Sequence, residues 1–249
     1  MHSLIIKSSF ACSIFLLSVV SGWLPARVRT YNKRFLGISN AFASGVFLGA
    51  ALLHLLPDAV SKFELFYAGD YPLVYLICIV TFILLLVMER LVNIYDERVS
   101  SNSIAIPAFL ISLLTIHSLI EGATIGVSSN ILEATTIFVA VFVHKGSESF
   151  ALAVSLNRFK VKTATIKKTI VLFSLMTPLG ILTTSTAGHF FSGILAEQLT
   201  AVLNAVAAGT FLYLGTEHLV EGEKSFEKAY EIATLSLGVA VMAIVAGLV

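Results

Sequence analysis

Residues 71–94 read YPLVYLICIVTFILLLVMERLVNI, and no charged side chain occurs in this stretch before Glu89. A helix crosses the roughly 30 Å hydrocarbon layer of a membrane with about 20 predominantly apolar residues. Because an open sheet would leave backbone groups without partners in lipid, such a stretch is predicted to be helical. Similar stretches recur along the chain, and the predicted spans are about 4–24, 36–57, 71–94, 104–129, 131–156, 166–190, 197–220 and 227–249.

The composition of the whole chain also indicates a membrane protein. Of its 249 residues, 57% are hydrophobic and 12% are charged, whereas soluble domains carry about 25% charged residues. Cys12 and Cys78 both lie inside apolar segments, so neither a disulfide framework nor a thiolate metal site is indicated. No linker divides the chain. We therefore predict one all-α integral membrane domain over residues 1–249, with the lipid bilayer as a partner and no nucleic-acid partner.

The distribution of lysine and arginine predicts the orientation of the chain. Of the 16 such residues, 13 fall in loops on one side, while Lys7 and Lys62 fall on the other and Lys145 lies inside a span. Loops facing the cytoplasm carry an excess of these residues. Both termini are therefore predicted on the non-cytoplasmic side, which requires an even number of spans and agrees with eight.

Two neighbouring spans carry ionisable side chains near the middle of the membrane. The fourth reads HSLIEGATIGV from His117, with Glu121 four residues on, and the fifth reads HKGSESFALAV from His144, with Glu148 four residues on. An ionisable group at this depth costs about 2.5–3.5 kcal/mol even on a lenient scale, so its presence needs a reason. A spacing of four places each pair on one helical face, about 6 Å apart along the axis.

These two pairs would meet at one depth if the spans are antiparallel neighbours joined by a short loop around residues 128–130. Two imidazoles and two carboxylates then form a four-ligand shell suited to a borderline-soft dication such as Zn²⁺. Fe²⁺, Mn²⁺ and Cd²⁺ accept the same ligand types, so they stay open as alternatives. One such pair alone is as often a packing feature, but two mid-membrane copies followed by small residues favour a metal site. The metal is expected as a transported substrate, with no permanent cofactor.

Further polar residues occur beside this shell and at the ends of two other spans. Lys145 has two compatible interpretations: its ammonium neutralises Glu148 or Glu121, and it fills space where a second cation could bind. His54 and Asp58 are predicted near the outer end of the second span. Glu217 and His218 are predicted near the cytoplasmic end of the seventh. These two end clusters and the central shell would describe a route, although helix ends are commonly polar for other reasons.

The motifs resemble the ZIP family of zinc and iron transporters. The HSxxEGxxIG pattern from His117 and the HKG beginning at His144 look like the animal-type branch. GVFLGAALLHLLPDA in the second span and AGTFLYLGTEH in the seventh are similar to corresponding helices of that family. The likeness covers essentially the whole chain. It implies eight helices in a 3+2+3 arrangement with an inverted repeat, metal moving into the cytoplasm, and motion of one helix bundle against another.

Position by position, the resemblance maps the family's central metal site onto His117, Glu121, His144 and Glu148. Where some relatives have ligands of a second metal, this chain has three different residues. They are Ser118 in place of asparagine, Lys145 in place of aspartate and Thr177 in place of glutamate. The resemblance therefore implies one central metal, with the lysine ammonium replacing the second positive charge.

Three functions fit a metal shell inside a membrane. A carrier is the leading hypothesis, at the plasma membrane ahead of an organelle membrane. A channel with the same ligands is an alternative. An intramembrane zinc metalloenzyme is disfavoured, because the HExxH spacing of common metalloproteases is absent and the small residues suit helix sliding. We therefore do not expect an enzyme. A homodimer is compatible with the sequence, although no particular residue indicates one.

Overall fold

A computed structural model describes residues 2–27, 33–67, 69–99, 105–128, 130–158, 161–187, 194–217 and 225–248. All regular secondary structure in these ranges is helical, as predicted. The helices are α1 (His2–Arg27), α2 (Lys33–Ala50), α3 (Leu56–Glu64), α4 (Leu73–Val99), α5 (Ala105–Val127), α6 (Ile131–Arg158), α7 (Thr163–Ala187), α8 (Ile194–Glu217) and α9 (Ser225–Leu248).

The second span consists of α2 and α3, which are joined without a break by a π-helical turn at Ala51–Leu55. The predicted end of this span near residue 57 is wrong, because the helix continues to Glu64. Pro57 directly follows this π-helical turn, at the second residue of α3. Single-turn π-helical segments occur frequently at functional sites. This one contains His54.

Counting α2 and α3 as one, the described residues contain eight helical spans, and the all-α membrane fold is confirmed. Seven helical stretches are long and apolar enough to cross a membrane, and in the remaining helix, α5, the apolar stretch is shorter, Ile111–Val127. Many large apolar side chains, especially on α4, point outward and are exposed. In lipid such side chains contact acyl chains and need no protein partner.

The helices pack as two groups of four spans. In group A, α5 packs against α7 while α1 packs against both α6 and α7. In group B, α2 packs against α9 while α8 packs against α3 and α4. Helix α1 packs against α6 as α7 packs against α5, so α1 corresponds to α7 and α6 to α5. Likewise α2 packs against α9 as α8 packs against α4, so α2 corresponds to α8 and α9 to α4. This recurrence is the pattern that an inverted repeat of the first three and last three spans produces.

Glycines set the close approach of helices inside both groups. In group A, a Cβ atom added to Gly122 of α5 would overlap the backbone oxygen of Thr177, and one added to Gly180 of α7 would overlap that of Leu119. In group B, Gly45 of α2 meets the backbone of α9 in the same way. Small residues at helix interfaces allow such contact within a membrane. Helix α5, which carries two of the candidate metal ligands, is therefore packed closely against α7.

Candidate metal centre

The four candidate ligands predicted on α5 and α6 lie together in the interior of the protein. His117 and Glu121 come from α5, while His144 and Glu148 come from α6. One potential ligand atom from each residue lies within 4.8 Å of the others. None of the four residues is more than 3% exposed. The short connection between α5 and α6 and the four-residue spacing on each helix together produce this convergence.

The atoms nearest one another are the ones that would bind a metal. Glu121 Oε1 lies 2.9 Å from His117 Nε2 and 2.5 Å from His144 Nε2. Both Nε2 atoms lie 3.6 Å from Glu148 Oε1. Within the described residues, Glu148 Oε1 is buried and has no hydrogen-bond partner, so it is an acceptor open to a cation. Two nitrogens and two oxygens thus converge within the reach of one metal ion.

Lys145 occupies the opposite side of the same two carboxylates. Its Nζ atom donates to Glu148 Oε2 at 2.6 Å, to Glu121 Oε2 at 3.2 Å and to Ser118 Oγ at 2.5 Å. The ammonium also lies 4.6 Å from the centre of the Phe173 ring, which is within the range of a cation–π contact. Each carboxylate therefore directs one oxygen toward the histidines and the other toward the lysine.

Thr177, the third position that the resemblance assigned to a lost second metal site, is buried on α7. Its Oγ1 atom makes no hydrogen bond within the described part of the chain, so the structure does not connect it to Lys145. Ser118 and Lys145 are therefore hydrogen-bonded to each other, whereas Thr177 forms no hydrogen bond with either of them in the described residues.

Phe211 of α8 also lies at the centre, where the sequence predicted no side chain of this helix. Its ring centroid lies 4.1 Å from that of His117 and 5.1 Å from that of His144, with an edge-on arrangement in the second case. The side chain is fully buried and comes from group B, whereas all four candidate ligands come from group A. A phenylalanine in an apolar span has no ionisable group, so only its place in the AGTFLYLGTEH motif could have indicated it.

The chain matches the family model of the ZIP zinc transporters over residues 4–105 and 96–246. It belongs to the ZIP zinc transporter family. The chain is 29% identical to zinc transporter ZIP1 of Bos taurus over 74% of this chain and 68% of that relative. It is 25% identical to zinc transporter ZIP1 of Takifugu rubripes over 96% of both chains. It is also 25% identical to zinc transporter 11 of Arabidopsis thaliana, over 97% of this chain and 85% of that one.

In this ZIP chain, the remaining predicted residues belong to the second span and to the end of α8. His54 is buried in the π-helical turn of the second span. Asp58 lies one turn further along and accepts a hydrogen bond from the Nδ2 atom of Asn204. Glu217 is the last residue of α8, and its side chain and the whole of His218 lie outside the described residues.

Proposed function

We propose that this ZIP protein carries a divalent metal ion, Zn²⁺ ahead of Fe²⁺, Mn²⁺ or Cd²⁺, across a membrane into the cytoplasm. The observation on which the proposal depends is the convergence of two imidazoles and two carboxylates, within 4.8 Å, in the apolar interior. Nitrogen and oxygen ligands in a four-membered shell suit zinc. Relatives of this chain that are named zinc transporters also support zinc as its substrate.

The charges of the site explain how a dication is accommodated inside the membrane. An isolated ion in an apolar medium costs on the order of tens of kcal/mol, so the ion must be neutralised by fixed opposite charges. Glu121 and Glu148 supply two negative charges, and Lys145 returns one positive charge. Any proton held between an imidazole nitrogen and a carboxylate must leave when the metal binds, because only deprotonated ligands coordinate.

The position of Lys145 supports one bound metal at a time. Its ammonium contacts the Oε2 atoms of both carboxylates, which are the oxygens that a second cation would need. The Oε1 atoms stay available to the first ion together with the two imidazoles. A second dication would have to displace a fully buried ammonium from two carboxylates and Ser118.

The proposed route runs past Asp58 and His54 to the centre and leaves past Glu217 and His218. The lysine and arginine excess supports both termini on the non-cytoplasmic side. With this orientation at the plasma membrane, transport toward the cytoplasm imports the metal. All four central ligands belong to group A, while Phe211 and His54 belong to group B. Displacement of group A against group B would therefore carry the four ligands and their bound ion together past the residues of group B.

The test is uptake of radioactive zinc by liposomes that contain the purified protein, with Fe²⁺, Mn²⁺ and Cd²⁺ as competitors. We expect saturable uptake that falls to background in His117→Ala and in Glu148→Ala, because each change removes one of four ligands. Glu64→Gln removes an exposed carboxylate at the end of α3 and should leave uptake unchanged. Near-normal uptake in both ligand variants at equal protein content would refute the proposal.

Phe211 is expected to affect affinity without supplying a ligand. Aromatic pairs contribute about 0.5–1.5 kcal/mol beyond burial, so Phe211→Ala should raise the KM for zinc roughly 2- to 10-fold by releasing the imidazole rings. Phe211→Leu retains an apolar side chain and tests whether the aromatic ring itself is required. The measurement is the zinc dependence of uptake in each variant. A wild-type KM in Phe211→Ala would show that the ring does not hold the histidines in place.

A further inference from the structure

A second cluster of charges lies away from the metal centre and joins the two helix groups. Lys62 of α3 donates to Glu133 Oε1 of α6 at 2.7 Å and to Glu197 Oε2 of α8 at 2.9 Å. Helices α3 and α8 belong to group B, whereas α6 belongs to group A. Among the ion pairs within the described ranges, Lys62–Glu133 alone connects one group to the other.

This cluster lies toward one end of the protein. Lys62 follows His54 by eight residues and Glu133 precedes His144 by eleven, which correspond to about 12 Å and 16 Å of helical rise. Glu133 is in the first turn of α6, and Glu197 is in the first turn of α8. Both helices begin at the non-cytoplasmic end under the proposed orientation. The cluster is therefore near the opening through which a metal would enter.

The lysine is anchored on the side of group B. The pair with Glu197 ties it to α8, and one turn earlier Asp58 accepts a hydrogen bond from Asn204 of the same helix. The lysine side chain is 11% exposed and that of Glu133 is 31% exposed, so the pair is partly accessible to water. Movement of group A away from group B would break the contact with Glu133 and leave the contact with Glu197 in place.

We propose that the Lys62–Glu133 ion pair is a latch that holds the non-cytoplasmic entrance closed between the two helix groups. This inference rests on the proposed function for the identity of the entrance and for the direction of transport. The latch must open before a metal ion reaches the centre from that side. Once it opens, Glu133 and Asp58 are left as carboxylates facing the incoming cation, and Lys62 stays paired with Glu197.

The test measures access to the space between the latch and the metal centre. Ala140 is fully buried and lies seven residues after Glu133 and four before His144, which places it on the same face of α6. The reporter is Ala140→Cys in a chain whose two native cysteines are replaced by alanine. A membrane-impermeant thiol reagent is applied to reconstituted protein from each side separately, and the rate of labelling is measured.

We expect Lys62→Gln and Glu133→Gln each to accelerate labelling from the non-cytoplasmic side roughly 2- to 5-fold, the range for loss of a solvent-accessible ion pair. Combining the two changes should add nothing, because one contact is lost in either case. Glu197→Gln is the matched control, since it breaks a pair with the same lysine inside group B and should change labelling less.

Labelling in Glu133→Gln that equals the wild-type rate, or the rate in Glu197→Gln, would overturn the latch. Acceleration only from the cytoplasmic side would overturn its assignment to the non-cytoplasmic entrance. The labelling rate does not depend on zinc transport. A wild-type protein without uptake but with the expected labelling pattern would therefore contradict the proposed function and support the latch.

Discussion

Glutamine in place of Glu121 is expected to abolish zinc uptake and to weaken zinc binding about 100-fold or more. Loss of a residue that only supports a ligand already costs about 10–100-fold in metal affinity, and Glu121 is proposed as a ligand itself. Its Oε1 atom lies within 2.9 Å of both histidine Nε2 atoms, while its Oε2 atom accepts from Lys145. Glutamine retains the shape of the side chain but removes one of the two negative charges.

The loss of charge is the decisive part of this effect. With Glu121 neutral, the ammonium of Lys145 balances Glu148 completely, and a bound dication would retain its full charge inside the apolar layer. Binding is measured by equilibrium dialysis of radioactive zinc, and uptake is measured in liposomes. Glu64→Gln is again the control for removal of a carboxylate. Wild-type zinc affinity in Glu121→Gln would exclude this residue as a ligand.

Much of the fold follows from local properties of the sequence. Apolar stretches such as 71–94 are long enough to cross a membrane, and all eight appear as helices within the described residues. The second span was predicted too short because Pro57 and Asp58 suggest a helix end. In the structure Pro57 directly follows the π-helical turn, Lys62 is neutralised by two carboxylates, and the helix continues to Glu64. Its continuation depends on partners from other helices.

The candidate centre was more predictable than its surroundings. The four-residue spacing after His117 and after His144, with a short loop between the spans, was sufficient to predict that the two pairs lie together. Phe211 and the Lys62–Glu133 pair were not predictable in this way. Lys62 and Glu133 are 71 residues apart, and their contact arises only from the packing of group A against group B. No local pattern specifies such a partner.

Methionine in place of Lys145 is expected to destabilise the metal-free protein and to make its stability depend strongly on zinc. Removing one partner of a buried ion pair costs about 3–5 kcal/mol, because the other charge is left without compensation. Here two buried carboxylates would lose the ammonium that lies 2.6 Å and 3.2 Å from them. Thermal unfolding in detergent, measured with and without zinc, detects this change.

The same substitution should tighten zinc binding while slowing transport. Without the ammonium, the carboxylates keep two negative charges for the ion, so zinc is held more strongly and leaves more slowly. We expect a lower KM and a lower maximal rate of uptake. Lys145→Arg preserves the positive charge and should resemble the wild type more closely in its response to zinc. An unchanged KM in Lys145→Met would show that the ammonium does not compete for the carboxylates.

Lys7→Met provides a matched comparison for the loss of a buried lysine. Lys7 of α1 is 5% exposed, and its ammonium donates to the backbone oxygens of Gly126 and Ser128 at the end of α5. Its removal should lower stability by leaving two backbone oxygens without their donor, but it should leave the zinc-induced stabilisation at the wild-type level, because no proposed ligand contacts it. A ligand stabilises the folded state according to its affinity for that state, so only a variant with altered affinity changes the shift at fixed zinc. If zinc raises the unfolding temperature equally in Lys145→Met and Lys7→Met, Lys145 contributes only to packing. A larger rise in Lys145→Met would identify its ammonium as the charge that the metal replaces.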